Sequence, residues 1–219
     1  MNLKNKKIAI LGTGANGSCA AADITTAGYD VTLIDQWPEH VNAMNINGLT
    51  INLPEETRNT NVNAYHLCNL AELKQSFDFI FLFVKAYDTQ WITRLIEPYL
   101  ANDGILVGVQ NAMTAERISK IVGADRTIAC VVECSSELFI PGIIQRDTPN
   151  EKTWFGIGAE KNKENNRLEE VEEILTTDPA RLLIIDLVAY LVRRIWDVIL
   201  IFIDFKMSSS CIVVSKPSA

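Results

Sequence analysis

The fold is set by the stretch Lys7-Ile8-Ala9-Ile10-Leu11-Gly12-Thr13-Gly14-Ala15-Asn16-Gly17, followed by Gly28-Tyr29-Asp30-Val31-Thr32-Leu33-Ile34-Asp35. An apolar run leads into three glycines, and a segment rich in alanine then leads to a second apolar run that ends in a carboxylate. This order predicts a strand, a glycine turn, a helix and a second strand. Such a unit is typical of dinucleotide-binding sites.

Each glycine of the turn meets a separate physical demand. Gly12 permits the tight turn after the strand, Gly14 lets the backbone approach a pyrophosphate, and Gly17 lets the helix pack against the sheet. The unpaired N–H groups at the start of the helix favour an anion. We therefore expect the cofactor-binding loop to consist of Gly12, Thr13, Gly14, Ala15, Asn16 and Gly17.

The carboxylate at the end of the second run bears on the choice of cofactor. Asp35 lies 23 positions after Gly12, close to the spacing of about 20 expected of the acidic residue that binds a ribose 2′-hydroxyl. A carboxylate there repels a 2′-phosphate, so Asp35 favours NADH over NADPH. The alternative is an ordinary glycine turn in another α/β protein, but the flanking strand, helix and Asp35 all favour the dinucleotide site.

Composition excludes several classes of function. The chain has 219 residues and a formal net charge of −7, which argues against nucleic acid or an anionic membrane as the main partner. The five cysteines lack CxxC spacing and cluster with no histidine, so neither a disulfide framework nor a metal site is expected. These features predict a cytoplasmic protein that acts on a small molecule.

No export or membrane-spanning segment is expected. Only a short apolar run follows the N-terminal lysines, too short for a signal peptide. The most apolar stretch, residues 182–205, is interrupted by five charged residues, each expensive at the centre of a bilayer.

The rest of the chain alternates between predicted strands and helices. This alternation predicts an α/β fold with a Rossmann-type doubly wound parallel sheet, followed by an incomplete helical C-terminal segment. Strands are predicted at 48–53, 79–84, 104–109, 127–132 and 153–158, helices at 38–47, 88–99, 115–122 and 168–175, and a surface loop at 54–63.

Polar residues that directly follow a buried strand are candidates for chemistry, because ligands bind beyond the carboxyl ends of parallel strands. Lys85 places a cation there, which could meet the cofactor or an acidic substrate. Asn111 offers a donor and an acceptor beside the nicotinamide position. The alternatives are a solvated lysine at the start of a helix and an asparagine that forms a turn.

Five motifs together resemble the ketopantoate reductases (2-dehydropantoate 2-reductases). The resemblance covers about residues 6–175 and rests on Gly12–Gly17, Val84-Lys85-Ala86-Tyr87-Asp88-Thr89, Val109-Gln110-Asn111-Ala112-Met113, Pro141-Gly142 with Arg146, and Trp154-Phe155-Gly156-Ile157-Gly158. It implies hydride transfer from a reduced nicotinamide, usually NADPH, to 2-dehydropantoate, which gives pantoate for pantothenate and coenzyme A synthesis. It also implies that Lys85 lines the cofactor cleft and that Asn111 lies between cofactor and substrate.

The chain departs from the family pattern near the cofactor. Ala112 stands where family members usually have glycine, and Asp35-Gln36 stands where NADPH-dependent members commonly place an arginine. The second departure agrees with a preference for NADH.

The C-terminal part departs more strongly. The family's helical second domain carries a general-acid lysine in a Trp-x-Lys-Leu-x-x-Asn context, and no such motif follows Pro179. Lys206 lies in the apolar tail, but its neighbours do not match, so the catalytic acid is unknown. We expect residues 1–177 to form the dinucleotide-binding domain and residues 178–219 to be a truncated or divergent remnant of the substrate domain, whose apolar surface favours a homo-oligomer.

The sequence thus predicts NAD(P)H-dependent reduction of 2-dehydropantoate to pantoate, impaired if truncation removed the acid. Two alternatives stay open. One is a paralogue that binds nucleotide without chemistry, and the other is a reductase of another 2-keto acid.

Overall fold

The computed structural model describes residues 3–159 and 167–176, together with the backbone of residues 181–184. These residues fall within one unit, Met1–Ile184. The elements in chain order are β1 (Lys7–Leu11), α1 (Ala15–Thr26), β2 (Asp30–Asp35), α2 (Pro38–Asn47), β3 (Leu49–Asn52), β4 (Thr57–Thr60), β5 (Asn63–His66), β6 (Phe77–Leu82), α3 (Thr89–Ile96), β7 (Leu100–Val109), α4 (Ala115–Val122), β8 (Thr127–Glu133), β9 (Ser136–Ile140), β10 (Ile143–Arg146), β11 (Trp154–Ala159), α5 (Arg167–Leu175) and β12 (Arg181–Ile184).

The main sheet has eight strands in the order β12-β11-β8-β7-β6-β1-β2-β5. Its neighbouring strands are parallel except for β11 on β8. From β1 the chain moves outward to β2 and β5 on one side, and it then returns to β6 on the other. The predicted Rossmann-type sheet is confirmed, and its topological switch point lies between β1 and β6, where such sheets bind ligands.

Helices cover both faces of this sheet because its central strands are apolar on both sides. Ile8 and Ile10 of β1 pack with α1 and α5, whereas Ala9 and Leu11 pack with α3 and α4. In β6, Phe79, Ile80 and Phe81 are fully buried. The core therefore holds β1 and β6 rigidly, and with them the loops that leave their carboxyl ends.

A second, four-stranded sheet in the order β4-β3-β10-β9 was not expected from the sequence. The predicted surface loop at 54–63 is wrong where β4 pairs antiparallel with β3, with Leu49 opposite Thr60. The strand β10 pairs in parallel with the distant β3, with Ile143 opposite Thr50. These short segments are strands because they form hydrogen bonds with partner strands, and no local sequence pattern predicts that pairing.

The C-terminal boundary stays a prediction. The backbone of β12 adds an edge strand parallel to β11, with Phe155 opposite Leu182. The predicted boundary after residue 177, the residue Lys206 and most of the predicted remnant at 178–219 lie outside the described residues.

Candidate functional site

A cavity of about 270 Å³ opens at the switch point of the main sheet. The residues that line it end or follow β1 and β2, follow β6 or lie in the first turn of α3, and two more, Leu67 and Leu138, come from elsewhere. They are Leu11, Gly12, Gly14, Ile34, Asp35, Gln36, Trp37, Leu67, Phe83, Val84, Lys85, Tyr87, Asp88, Trp91, Ile92 and Leu138. The topology therefore brings Gly12, Gly14, Asp35 and Lys85, predicted from separate motifs, to one crevice.

The three glycines of the loop have different surroundings. Gly12 has a φ of +89°, which favours glycine, and a Cβ at Gly17 would lie 2.2 Å from the carbonyl oxygen of Gly12. A Cβ at Gly14 would meet nothing within 4 Å. Gly12 and Gly17 are thus required by the fold, whereas Gly14 leaves an open cradle on the cavity side.

The start of α1 presents unpaired amides to this cradle. The first hydrogen bond of the helix runs from the N–H of Ser18 to the carbonyl oxygen of Gly14, at 2.9 Å. The N–H groups of Ala15, Asn16 and Gly17 precede it and have no partner within the helix. Their positive ends, added to the helix dipole, make the cradle suitable for an anion.

Asp35 joins the end of β2 to the glycine loop. Its Oδ2 accepts a hydrogen bond from the Thr13 hydroxyl at 3.2 Å, and its Oδ1 accepts one from the backbone N–H of Trp37 at 2.9 Å. Asp35 is 9 % exposed and lines the cavity. Its carboxylate therefore stands at the cavity wall in a fixed orientation.

Four of the six residues of the predicted binding loop do not line the cavity: Thr13, Ala15, Asn16 and Gly17. The Thr13 side chain is fully buried behind the loop. The Asn16 side chain accepts a hydrogen bond from the Ser136 hydroxyl and so ties α1 to β9. These two hydrogen-bonding side chains thus join the loop to its surroundings, and we expect the loop to meet an anion chiefly through its backbone N–H groups.

His40 on α2 was not singled out in the sequence, yet it supports the loop directly. Its ring is fully buried, with Nε2 2.8 Å from the Thr13 carbonyl oxygen and Nδ1 accepting the Gly142 N–H at 2.9 Å. Burial lowers the pKa of His40, although the Thr13 carbonyl and the Asp35 charge oppose the shift. A single histidine in a helical segment carries no pattern that could have indicated this role.

Lys85 lies at the cavity on a turn that other residues hold in place. Its side chain is exposed, and its carbonyl accepts the N–H of Asp88 at 2.9 Å. The buried Gln110 amide, at the end of β7, donates to the Val84 carbonyl and to the Thr89 hydroxyl, both at 2.8 Å. Lys85 thus lines the crevice on a backbone that these hydrogen bonds hold in place.

Asn111 does not line this cavity. Its amide nitrogen donates to the Val132 carbonyl at 2.9 Å, and its oxygen accepts the Val132 N–H at 3.0 Å. The side chain therefore extends the hydrogen bonding between β7 and β8 in the manner of a strand. Its predicted contact with cofactor and substrate stays a prediction.

Among the described residues, no three His, Cys, Asp or Glu side chains come together in a way that could hold a metal ion. No helix in that part of the chain is long and apolar enough to cross a membrane.

The fold and the crevice at its switch point define a Rossmann-type nucleotide-binding domain. A family model described as "Ketopantoate reductase PanE/ApbA" matches residues 8–160 of this domain. The chain belongs to the ketopantoate reductase family, which confirms the resemblance seen in the sequence. It is thereby a member of an oxidoreductase family.

Curated relatives carry the same family name. A 2-dehydropantoate 2-reductase from Pyrococcus horikoshii is 30% identical over 173 residues, which cover 76% of this chain and 52% of the relative. A 2-dehydropantoate 2-reductase from Lactococcus lactis subsp. lactis is 35% identical over 94 residues, covering 43% of this chain and 30% of the relative. The chain spans about half, or less, of the length of these curated relatives.

Solved structures share the fold. A D-mandelate dehydrogenase with NADH and anilino(oxo)acetate matches with a TM-score of 0.76 at 22% identity, over 86% of this chain and 59% of that one. A 2-dehydropantoate 2-reductase from Geobacter metallireducens matches with a TM-score of 0.71 at 22% identity, over 81% of this chain and 57% of that one. At these identities the likeness concerns the fold.

Proposed function

We propose that the chain binds a nicotinamide dinucleotide at the switch-point crevice and supplies the cofactor half of a 2-keto acid reductase. The observation that carries the proposal is the open cradle at Gly14, where a Cβ would meet nothing within 4 Å. The amides at the start of α1 face an anion there, and the pyrophosphate of a dinucleotide is such an anion. Membership of the ketopantoate reductase family supports 2-dehydropantoate as the substrate.

NADH is the proposed cofactor in preference to NADPH. The Asp35 carboxylate is held at the cavity wall by Thr13 and Trp37, in the position suited to a ribose 2′-hydroxyl. A 2′-phosphate would bring further negative charge against this carboxylate. Among the described residues that line the cavity, Lys85 is the one cationic side chain, and it follows β6 rather than β2, the strand that Asp35 ends.

When bound, the reduced nicotinamide supplies a hydride to the keto carbon of the substrate. The chain's own residues bind and orient the dinucleotide: the glycine loop receives its pyrophosphate and Asp35 its ribose, while Lys85 lines the same crevice. The alkoxide that forms requires a proton donor, which contributes about 10²- to 10⁴-fold to such a reaction. Lys85 is the one lysine among the described residues that line the cavity.

Nucleotide binding without chemistry is the second candidate function. The Asn111 amide, expected between cofactor and substrate, is engaged on both sides by the Val132 backbone. This observation favours a chain that holds the dinucleotide but lacks a substrate contact at that position.

The test begins with titration of the purified full chain with NADH and with NADPH, followed through nicotinamide fluorescence. 2-Dehydropantoate is then added, along with a panel of other 2-keto acids, while the absorbance of the reduced nicotinamide is recorded. Asp35→Asn serves as a matched variant, because it keeps an oxygen acceptor but removes the charge. We expect NADH to bind more tightly than NADPH, and the difference to shrink in Asp35→Asn.

Each outcome decides a different part of the proposal. Oxidation with 2-dehydropantoate supports the reductase, and oxidation with another acid alone changes the substrate. Binding without oxidation of any acid favours the second candidate. Failure of both nucleotides to bind would overturn the cofactor site itself.

A further inference from the structure

The carbonyl group of Thr13, in the middle of the glycine loop, is fixed by two side chains. The Ser18 hydroxyl donates to its oxygen at 2.6 Å, and His40 Nε2 lies 2.8 Å from the same oxygen. All three residues are fully buried. The carbonyl therefore points into the protein and is unable to rotate without breaking two buried hydrogen bonds, each costly to leave unmade.

The second nitrogen of His40 settles which tautomer forms these bonds. Nδ1 faces the backbone N–H of Gly142 at 2.9 Å and must accept from it. The ring proton therefore sits on Nε2, which donates to the Thr13 carbonyl. Gly142 is itself anchored, because its carbonyl accepts the Thr50 N–H of β3 at 2.9 Å. Through His40, the four-stranded sheet thus serves as the fixed support of the glycine loop.

The direction of the Thr13 carbonyl determines the direction of the next amide. A trans peptide is planar, so the Gly14 N–H points opposite to the Thr13 C=O. With the carbonyl turned inward to His40 and Ser18, the Gly14 N–H faces outward. Within the described residues this N–H donates no hydrogen bond to another backbone group. Gly14 lines the cavity, and a Cβ on it would meet nothing within 4 Å.

We propose that His40 is a positioning residue for the pyrophosphate of the dinucleotide: by holding the Thr13 carbonyl inward, it turns the Gly14 N–H toward the phosphate oxygens. This inference rests on the proposed function and assigns the role to a residue outside the binding loop. His40 is fully buried and does not line the cavity, so in this proposal it acts through the Thr13–Gly14 peptide.

Two substitutions separate the two nitrogens of the ring. In His40→Gln the side-chain amide nitrogen reaches about as far as Nε2 and restores the donor to Thr13. In His40→Asn the side-chain oxygen reaches about as far as Nδ1, so it keeps the acceptor for Gly142 but loses the donor. We expect His40→Asn to bind NADH roughly 10-fold more weakly than wild type, the effect of one hydrogen bond to a charged group. His40→Gln is expected within about 3-fold of wild type on the same basis.

For wild type and each variant, the melting temperature and the chemical shift of the Gly14 amide proton are measured alongside NADH binding. Met44→Ala, on the same helix and fully buried, is the control for lost stability, and we expect it to melt earlier yet bind NADH normally. In protein labelled with ¹⁵N, NADH should shift the Gly14 amide proton downfield in wild type and His40→Gln, but much less in His40→Asn.

The outcomes distinguish the inference from the function on which it rests. Wild type that fails to bind NADH overturns both. Wild type that binds, with His40→Asn binding equally well, overturns the role of His40 alone. If His40→Asn, His40→Gln and Met44→Ala all lost the same amount of NADH affinity, His40 would contribute only to stability, and the positioning role would be overturned too.

Discussion

Replacing Gly14 by alanine should separate nucleotide binding from folding. The backbone at Gly14 has φ −63° and ψ −162°, an extended conformation open to any residue. The added methyl group would meet no atom within 4 Å. The free energy of unfolding should therefore be unchanged or rise by about 0.4–1 kcal/mol, because alanine restricts the unfolded chain.

The same methyl group should weaken NADH binding strongly. It occupies the space through which the pyrophosphate would approach the amides of the loop and of α1. Loss of one hydrogen bond to a charged group costs about 1.5–3 kcal/mol, which corresponds to a Kd roughly 10- to 150-fold higher.

Gly17→Ala is the matched control for this substitution. There the methyl group would lie 2.2 Å from the Gly12 carbonyl oxygen, so α1 and the loop must separate by about 1.2 Å to reach ordinary contact. We expect the free energy of unfolding to fall by about 1–3 kcal/mol or more. For a chain of this size, each kcal/mol lowers the Tm by about 2–4 °C.

The assay combines thermal unfolding with a fluorescence titration of NADH. We expect Gly14→Ala to keep its Tm and to lose affinity for NADH, whereas Gly17→Ala should have a lower Tm. A Gly14→Ala protein that binds NADH as tightly as wild type would refute the assignment of the cradle to the pyrophosphate. A Gly17→Ala protein with unchanged Tm would show that the loop yields more readily than its contacts indicate.

Three further results are expected. Burial lowers the pKa of His40 in the folded protein, so the neutral His40 ring contributes fully to stability above about pH 6.5, and this contribution declines as the pH falls toward the folded pKa. Urea midpoints measured across pH 5–7 should show this decline in wild type and not in His40→Gln. The hydrogen bond from the Cys19 thiol and the Arg146 charge lower the pKa of Cys134 to about 7. Iodoacetamide should therefore alkylate Cys134 before the fully buried Cys130, whose pKa burial raises, and equal rates at both thiols would contradict this. Arg146→Met removes the 2.8 Å ion pair of an almost fully buried guanidinium with Asp23, which keeps Arg58 at 3.6 Å. We expect the free energy of unfolding to fall by about 1–3 kcal/mol, measured by urea unfolding, and an unchanged midpoint would contradict this.

The sequence predicted the parts of the fold that local patterns specify. The predicted bounds of the first βαβ unit and of α2 are confirmed within a residue or two. Their glycines, apolar runs and Pro38 specify structure through neighbouring residues in the sequence. The strand β4 was missed because its residues are polar and half exposed, and only pairing with β3 makes them a strand. Propensity is a weak guide wherever pairing with another strand decides the conformation.

The candidate site divides along the same line. One cavity is lined by Gly12, Gly14, Asp35 and Lys85, as expected for residues at the carboxyl ends of neighbouring parallel strands. The inward turn of Thr13 and the support from His40 depend on contacts with Asp35 and Gly142. These contacts form across the tertiary structure and leave no periodic signal in the chain.

The four-stranded sheet also bears on when, during synthesis, the site takes shape. His40 bonds to Gly142 across 102 positions, and Asn16 to Ser136 across 120. Contacts at such separations form slowly, because the loop between them must first be closed. A nascent chain can fold its first βαβ unit early, but the glycine loop acquires these supports only once the ribosome has released the hairpin of β9 and β10.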